Sequence, residues 1–273
     1  MFCFLMRSTF SISSARRGRA ARLLCLLSVF LVAGGSAQAQ KLAPPVRFRQ
    51  VAPDVFVHTS YHKSAGTTAP VAANGLIVRT STGALLVDTG WNSDQTLQIL
   101  RWVADSLHQH VRMAVVTHAH EDRLGGIAAL RANHIRVLGS PLTAKLALAQ
   151  QLDAPTPSIQ PYTLIRAGRT RLEVFFPGPG HAPDNVVVWL PRQRVLFGGS
   201  LLKDATATTL GNIADADLKQ WPAAVRKVAT HYPKAQVVVP GNGAPGGPEL
   251  FTHTLRLLRP GSNPQTRTAL NSK

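Results

Sequence analysis

Short apolar or alternating runs recur along the chain, separated by polar stretches and by glycine and proline. Residues 46–51, 55–59, 75–79, 84–88 and 113–117 read as strands, and so do 136–138, 172–176, 186–190, 195–198 and 236–239. Segments of helical period lie between them. Gln95 to Leu107 carries Leu97, Leu100, Val103 and Leu107 along one stripe, and Pro141 to Gln151 begins with proline at an N-terminal position. Asp217 to His231 is amphipathic, and Glu249 to Leu258 closes the pattern. The order is strands first, then strand alternating with helix, then strands again with helices last. That predicts two packed sheets with helices outside, an α/β fold, rather than one doubly wound sheet. Glycine and proline cluster just after strands, at Gly90, Gly125-Gly126, Pro177 to Gly180, Gly198-Gly199 and Pro240-Gly241. Loops at strand ends are therefore where chemistry is expected.

The ends change this picture little. Arg7, Arg16, Arg17, Arg19 and Arg22 precede the apolar run Leu23 to Val32, and Ala37-Gln38-Ala39 follows as a small-residue cleavage site. This predicts an export signal over residues 1–39 and a periplasmic location. An apolar core of about ten residues is too short to span a bilayer, so no stable membrane anchor is expected. The folded domain is expected over residues 40–259, as one compact unit and a monomer. The polar, turn-rich segment 260–273 is expected to form a flexible tail. Both cysteines, Cys3 and Cys25, fall inside the signal, so the remaining 234 of the 273 residues carry no thiol. That excludes disulfides, thiolate-bound metals and cysteine nucleophiles from the mature chain. The formal net charge is +17, with five of the positive charges in residues 1–39. The other basic residues are scattered and form no helix face interleaved with aromatics. Nucleic acid is therefore not expected as a partner, whereas small anionic substrates are favoured.

The densest chemistry lies where the strand ending at Thr117 runs out. Thr117-His118-Ala119-His120-Glu121-Asp122-Arg123 puts two imidazoles and a carboxylate at alternate positions, which in extended backbone share one side. Imidazole nitrogen and carboxylate oxygen are zinc ligands, and a catalytic site keeps one position open for water. His181 sits on the turn Pro177-Gly178-Pro179-Gly180-His181-Ala182-Pro183-Asp184-Asn185 between two strands and is available as a third imidazole.

With these segments on view, the chain closely resembles the class B metallo-β-lactamases, in particular the subclass whose second zinc is held by Asp, Cys and His. The resemblance runs through Asn74-Gly75-Leu76-Ile77, Leu85 to Trp91, Thr117 to Gly126, Gly180 to Asn185 with Val188 to Pro191, Leu196 to Lys203, and Leu210 to Ala216. It implies an αββα four-layer sandwich and a first zinc on His118, His120 and His181. It also implies attack of metal-activated water on a β-lactam, whether penicillin, cephalosporin or carbapenem. Asp88 matches the family's buried acid beneath the metal loop. Lys203 matches the lysine that receives the substrate carboxylate. Asn212 matches an asparagine facing the lactam carbonyl or that carboxylate. Tyr61 and His62, followed by 63–68, fall where the family has a flap over the substrate.

Two departures mark the second metal site. Ser200 stands where that subclass has Cys, and Asn242 in Pro240-Gly241-Asn242-Gly243 stands where it has His. Only Asp122 remains of the triad, and neutral hydroxyl and amide oxygens are poor zinc ligands. One tightly bound zinc is expected, with the set Asp122, Ser200 and Asn242 weak or empty. The departing nitrogen is then protonated through a network at Asp122, at the cost of low activity. Two other readings stay open. A hydrolase of the same fold acting on lactones, thioesters or phosphodiesters usually has His after the motif's Asp, where Arg123 stands here. A zinc-binding protein that has shed catalysis is favoured by Ser200 and Asn242 but not by Lys203 and Asn212.

Overall fold

The computed structural model describes residues 44–63 and 69–266. The export signal and residues 64–68 of the expected flap lie outside the described residues. Among the described residues, twelve strands form two sheets. The first runs β1 (Arg47–Ala52), β2 (Val55–His62), β3 (Val71–Thr80), β4 (Gly83–Val87), β5 (Val111–Val115), β6 (Arg136–Gly139) and β7 (Thr156–Pro157), in that spatial order. The second has the order β12 (Val237–Pro240), β11 (Val195–Gly199), β10 (Val187–Leu190), β9 (Thr170–Phe175) and β8 (Tyr162–Ala167).

Adjacent residues on a strand point to opposite faces, and the sequence uses both faces. Leu76, Leu85, Val188 and Phe197 meet between the sheets. Their neighbours Ile77 and Leu86 turn outward onto α1 (Ser93–Leu107) and α3 (Ile127–Ala132). Trp189 and Leu196 turn outward onto α5 (Trp221–His231) and α6 (Glu249–Leu257). Three apolar layers thus separate four structural ones, the expected αββα sandwich. Full burial of Leu76, Ile77, Leu86 and Phe197 contributes about 1.5–3 kcal/mol each.

Helix ends follow their capping residues. The Asn92 side chain accepts from Gln95 N at the start of α1, and Ser140 does the same from Thr143 N at the start of α4 (Pro141–Ala149). Hairpin β8–β9 was not anticipated at its first strand, because only Ile165 of β8 is buried and no alternating apolar face marks it. Within the segment expected as a tail from Pro260, described as far as Thr266, Asn263, Gln265 and Thr266 meet the fold. Asn263 is 2% exposed, and Gln265 accepts from Leu210 N at 2.8 Å and donates to Gly211 O. The Gln265 amide thus satisfies backbone groups of the 210–211 loop, and Asn263 donates to Leu257 O.

The strands β5, β11 and β12 end, and β10 begins, along one edge of the sandwich. The sheets are joined there by hydrogen bonds from Val186 N to Thr117 O and from Asn74 N to Gly241 O, at 3.0 and 2.8 Å. Gly241 fits because a Cβ there would lie 2.6 Å from Ser200 N.

Candidate metal centre and its cavity

The backbone leaves β5 after Val115, and the helix α2 (Glu121–Leu124) begins directly after His120. His118 and His120 lie on the connecting turn. The alternation read from the sequence therefore stops at His120, and Asp122 sits on the helix instead of continuing an extended edge. Asp88 holds this turn. It adopts a positive φ of 59°, an unusual conformation for a side-chain-bearing residue, and accepts from Thr117 N at 2.7 Å and from Thr117 Oγ1 at 2.9 Å. Burial pushes the Asp88 carboxyl up to about 7, against the opposing pull of Arg123 and these hydrogen bonds.

His181 is brought in by its own stapled loop. Asn185 accepts from Ala182 N and donates to Gly178 O, both at 3.0 Å. Asp184 ties that loop to the first by accepting from Ala119 N at 2.9 Å.

Three ring nitrogens converge. His120 Nδ1 lies 3.1 Å from His118 Nε2 and 3.1 Å from His181 Nε2. Tetrahedral zinc with nitrogen at 2.0–2.1 Å would hold its ligands roughly 3.3 Å apart, so the arrangement fits such an ion. Burial, reinforced by neighbouring positive groups, pulls His118 and His181 well below the usual imidazole range, and both rings are in the neutral, ligating form at neutral pH. The far nitrogens set the tautomers. His118 Nδ1 is 3.1 Å from Thr117 Oγ1, whose hydroxyl in turn donates to Asp88, and His120 Nε2 is 2.9 Å from Asp215 Oδ2. Among the described residues these three histidines are the one cluster of His, Cys, Asp and Glu side chains able to hold a metal.

The centre opens into a cavity of about 710 Å³ whose wall includes His120, His181, Asp122, Ser200, Lys203, Asn212 and Asn242. The structure thus assembles most of the residues singled out in the sequence. Lys203 is 9% exposed and meets no carboxylate within 4.0 Å among the described residues, and its ammonium lies 5.4 Å over the Trp221 ring. Burial, with help from Arg123, lowers its pKa to about 8. Asn212 lies in an exposed turn where its Oδ1 accepts from Ala214 N at 3.0 Å, which leaves the amide nitrogen as its donor. His62 reaches the cavity through Trp91, stacking at 4.9 Å on that wall residue, whereas Tyr61 pairs its backbone with Gln95 and its ring lies 5.8 Å from Arg47.

The three residues expected at a second metal are engaged otherwise. Asp122 Oδ2 is 2.7 Å from Arg123 Nη2, and Ser200 Oγ accepts from the same nitrogen at 3.0 Å. Asn242 donates its amide to Ala72 O. A neutral hydroxyl, a donating amide and a paired carboxylate are poor ligands for zinc. Sequence reasoning used Arg123 only to weigh rival families and gave Thr117 and Asp215 no role. The signal for Arg123 was its place directly after the motif's Asp, in a turn that buries it completely.

Residues 68–217 match the Metallo-beta-lactamase superfamily. The chain is 38% identical over 214 residues to the metallo-beta-lactamase type 2 of Bacillus sp. (strain 170), covering 78% of this chain and 82% of that protein. It is 36% identical over 230 residues to the enzyme of the same name from Bacteroides fragilis, covering 84% and 92%. A solved metallo-beta-lactamase from Pontibacter korlensis superposes with a TM-score of 0.75 at 45% identity, over 78% of this chain and 99% of that one. FIM-1 from Pseudomonas aeruginosa, solved in a mono-zinc form, gives 0.74 at 38% identity, over 83% and 100%.

Proposed function

The chain belongs to the metallo-β-lactamase superfamily, and on that premise we propose that it hydrolyses the amide bond of β-lactams with a single zinc on His118, His120 and His181. The carrying observation is that the three converging imidazoles share one cavity with an unpaired, buried ammonium, Lys203. A zinc ion held by His118, His120 and His181 would supply a nucleophile at neutral pH by lowering the pKa of water to roughly 7, and would polarise the carbonyl. Lys203 takes the substrate carboxylate as a point charge and so orients the lactam over the imidazoles. Asn212 Nδ2 donates to the carbonyl oxygen as charge develops there. Trp91, backed by the stacked ring of His62, walls the apolar side. Asp122 orients a water that protonates the departing nitrogen, since no second metal is available to receive its charge. Loss of such stabilisation typically slows a reaction by about a hundred-fold or more, so turnover is low.

Export to the periplasm and action there as a monomer complete the proposal, resting on the composition of residues 1–39 and on the smallness of the substrate. The deciding experiment measures metal content together with hydrolysis of a penicillin, a cephalosporin and a carbapenem, for the wild type and for His118→Ala. One retained zinc with measurable hydrolysis, both lost in His118→Ala, is expected. Full zinc loading without hydrolysis of any of the three would overturn the proposal in favour of a zinc-binding protein.

A further inference from the structure

Basic residues scattered along the sequence gather at the end of the sandwich farthest from the metal. Strands β5, β11 and β12 end at the metal edge and β10 begins there. The start of β5, the β8–β9 and β10–β11 turns and the approach to β12 therefore lie at the opposite end. The two sheets meet there: a Cβ on Gly168, in the β8–β9 turn, would collide with Ser81 Oγ in the β3–β4 turn, and one on Gly83 would lie 2.6 Å from Arg112 Cγ. Arg112, Arg166, Arg169, Arg192, Arg194 and Lys234 stand on these segments and are exposed. None of the six meets a carboxylate within 4.0 Å among the described residues. Asp54, on the β1–β2 turn, is held by Arg79 at 2.7 Å, and Glu173 of β9 by Arg171 at 2.9 Å. Asp105, near the end of α1, offsets one of the six. We infer that this end of the sandwich docks on an anionic phospholipid bilayer, by charge and reversibly, with the metal cavity turned away from the membrane.

The physical basis is charge complementarity. A guanidinium is always ionised, and its planar donors match phosphate oxygens. Each Arg or Lys held near an anionic leaflet adds to the attraction, which fades within a Debye length, about 8 Å at physiological ionic strength. The cations sit on turns drawn from both sheets, so they are spread over the end of two layers and suit a surface better than a groove. Segments 111–112, 166–171, 190–195 and 233–236 hold no aromatic ring on which a nucleic-acid base could stack. They hold none of the exposed large apolar side chains either, so the contact is with headgroups and not with acyl chains. The inference goes beyond the hydrolase reading and depends on neither the metal nor the substrate.

The test is cosedimentation of residues 40–273, which include the compact unit from Leu42 onward, with vesicles of phosphatidylcholine alone and of phosphatidylcholine mixed with phosphatidylglycerol. Binding to the mixed vesicles alone is expected, with release at about 0.5 M salt, where the Debye length is roughly 4 Å. Arg166→Glu/Arg169→Glu/Arg192→Glu/Arg194→Glu should weaken that binding about a hundred-fold or more. The comparison is Arg49→Glu/Arg226→Glu/Arg256→Glu/Arg259→Glu, which changes the net charge equally at exposed positions elsewhere and should lose less than about tenfold. Thermal unfolding checks that both variants fold; should the first not, Arg192→Gln/Arg194→Gln gives the same comparison with a smaller loss. Equal losses in the two sets, or equal binding to the two kinds of vesicle, overturn the inference. Binding of duplex DNA without binding to the mixed vesicles overturns it in favour of a nucleic-acid surface.

Discussion

Replacing Lys203 by alanine tests the substrate-binding role most directly, because its ammonium meets no carboxylate within 4.0 Å among the described residues. A hydrogen bond to a charged group contributes about 1.5–3 kcal/mol, and 1.4 kcal/mol is tenfold, so Lys203→Ala should raise KM for a carboxylate-bearing β-lactam by roughly 10- to 150-fold. Zinc content should not change, since Lys203 is no member of the imidazole cluster. The wild type carries a pH signature too. With a pKa lowered to about 8, Lys203 is protonated and attracts the anion below that value, and it loses the charge as pH rises through it. Only about one molecule in ten of the free protein keeps the ammonium at pH 9, so KM should climb by up to about tenfold between pH 7 and 9. In Lys203→Ala that rise should vanish. The assay is steady-state hydrolysis of one lactam and of its methyl ester across this range. Equal KM values for the acid in wild type and variant, or an equal loss for acid and ester, would refute the assignment.

Two further outcomes follow from the groups behind the imidazoles. Asp215→Ala removes the acceptor for His120 Nε2 and should weaken zinc binding about ten- to a hundred-fold in a chelator competition, while Asp215→Asn, which keeps an acceptor oxygen, should lose less. Unchanged affinity in both would show that Asp215 does not position His120. Thr117→Val deletes the hydroxyl between Asp88 and His118 while keeping the volume, and should cost about 1–3 kcal/mol in denaturant unfolding of the metal-free protein; an unaltered midpoint would remove the hydroxyl from the support of the metal loop.

The layered fold was legible because its strands carry apolar residues in adjacent positions, Leu76 beside Ile77 and Leu196 beside Phe197, which only a sheet covered on both faces can bury. Strand β8 escaped because an edge strand with one buried residue leaves no such trace. The three imidazoles were legible because their residue types have few other uses at strand ends. The role of Asp122 was not, because the alternation His118, His120, Asp122 assumes extended backbone, and the chain turns helical at Glu121.

Arg123 shows the deeper reason why spacing alone falls short. A guanidinium in a sequence reads as surface charge, since burying one is costly unless several acceptors are already in place. Here the acceptors come from five places in the chain: Asn74 and Gly241 supply carbonyls, Ser200 a hydroxyl, and Asp88 and Asp122 their charges. Asn74, Asp88 and Asp122 belong to the first sheet and its helix, whereas Ser200 and Gly241 reach Arg123 only when the second sheet closes on the first. The three-imidazole centre beside it has its own supports in Asp88, Thr117 and Asp215.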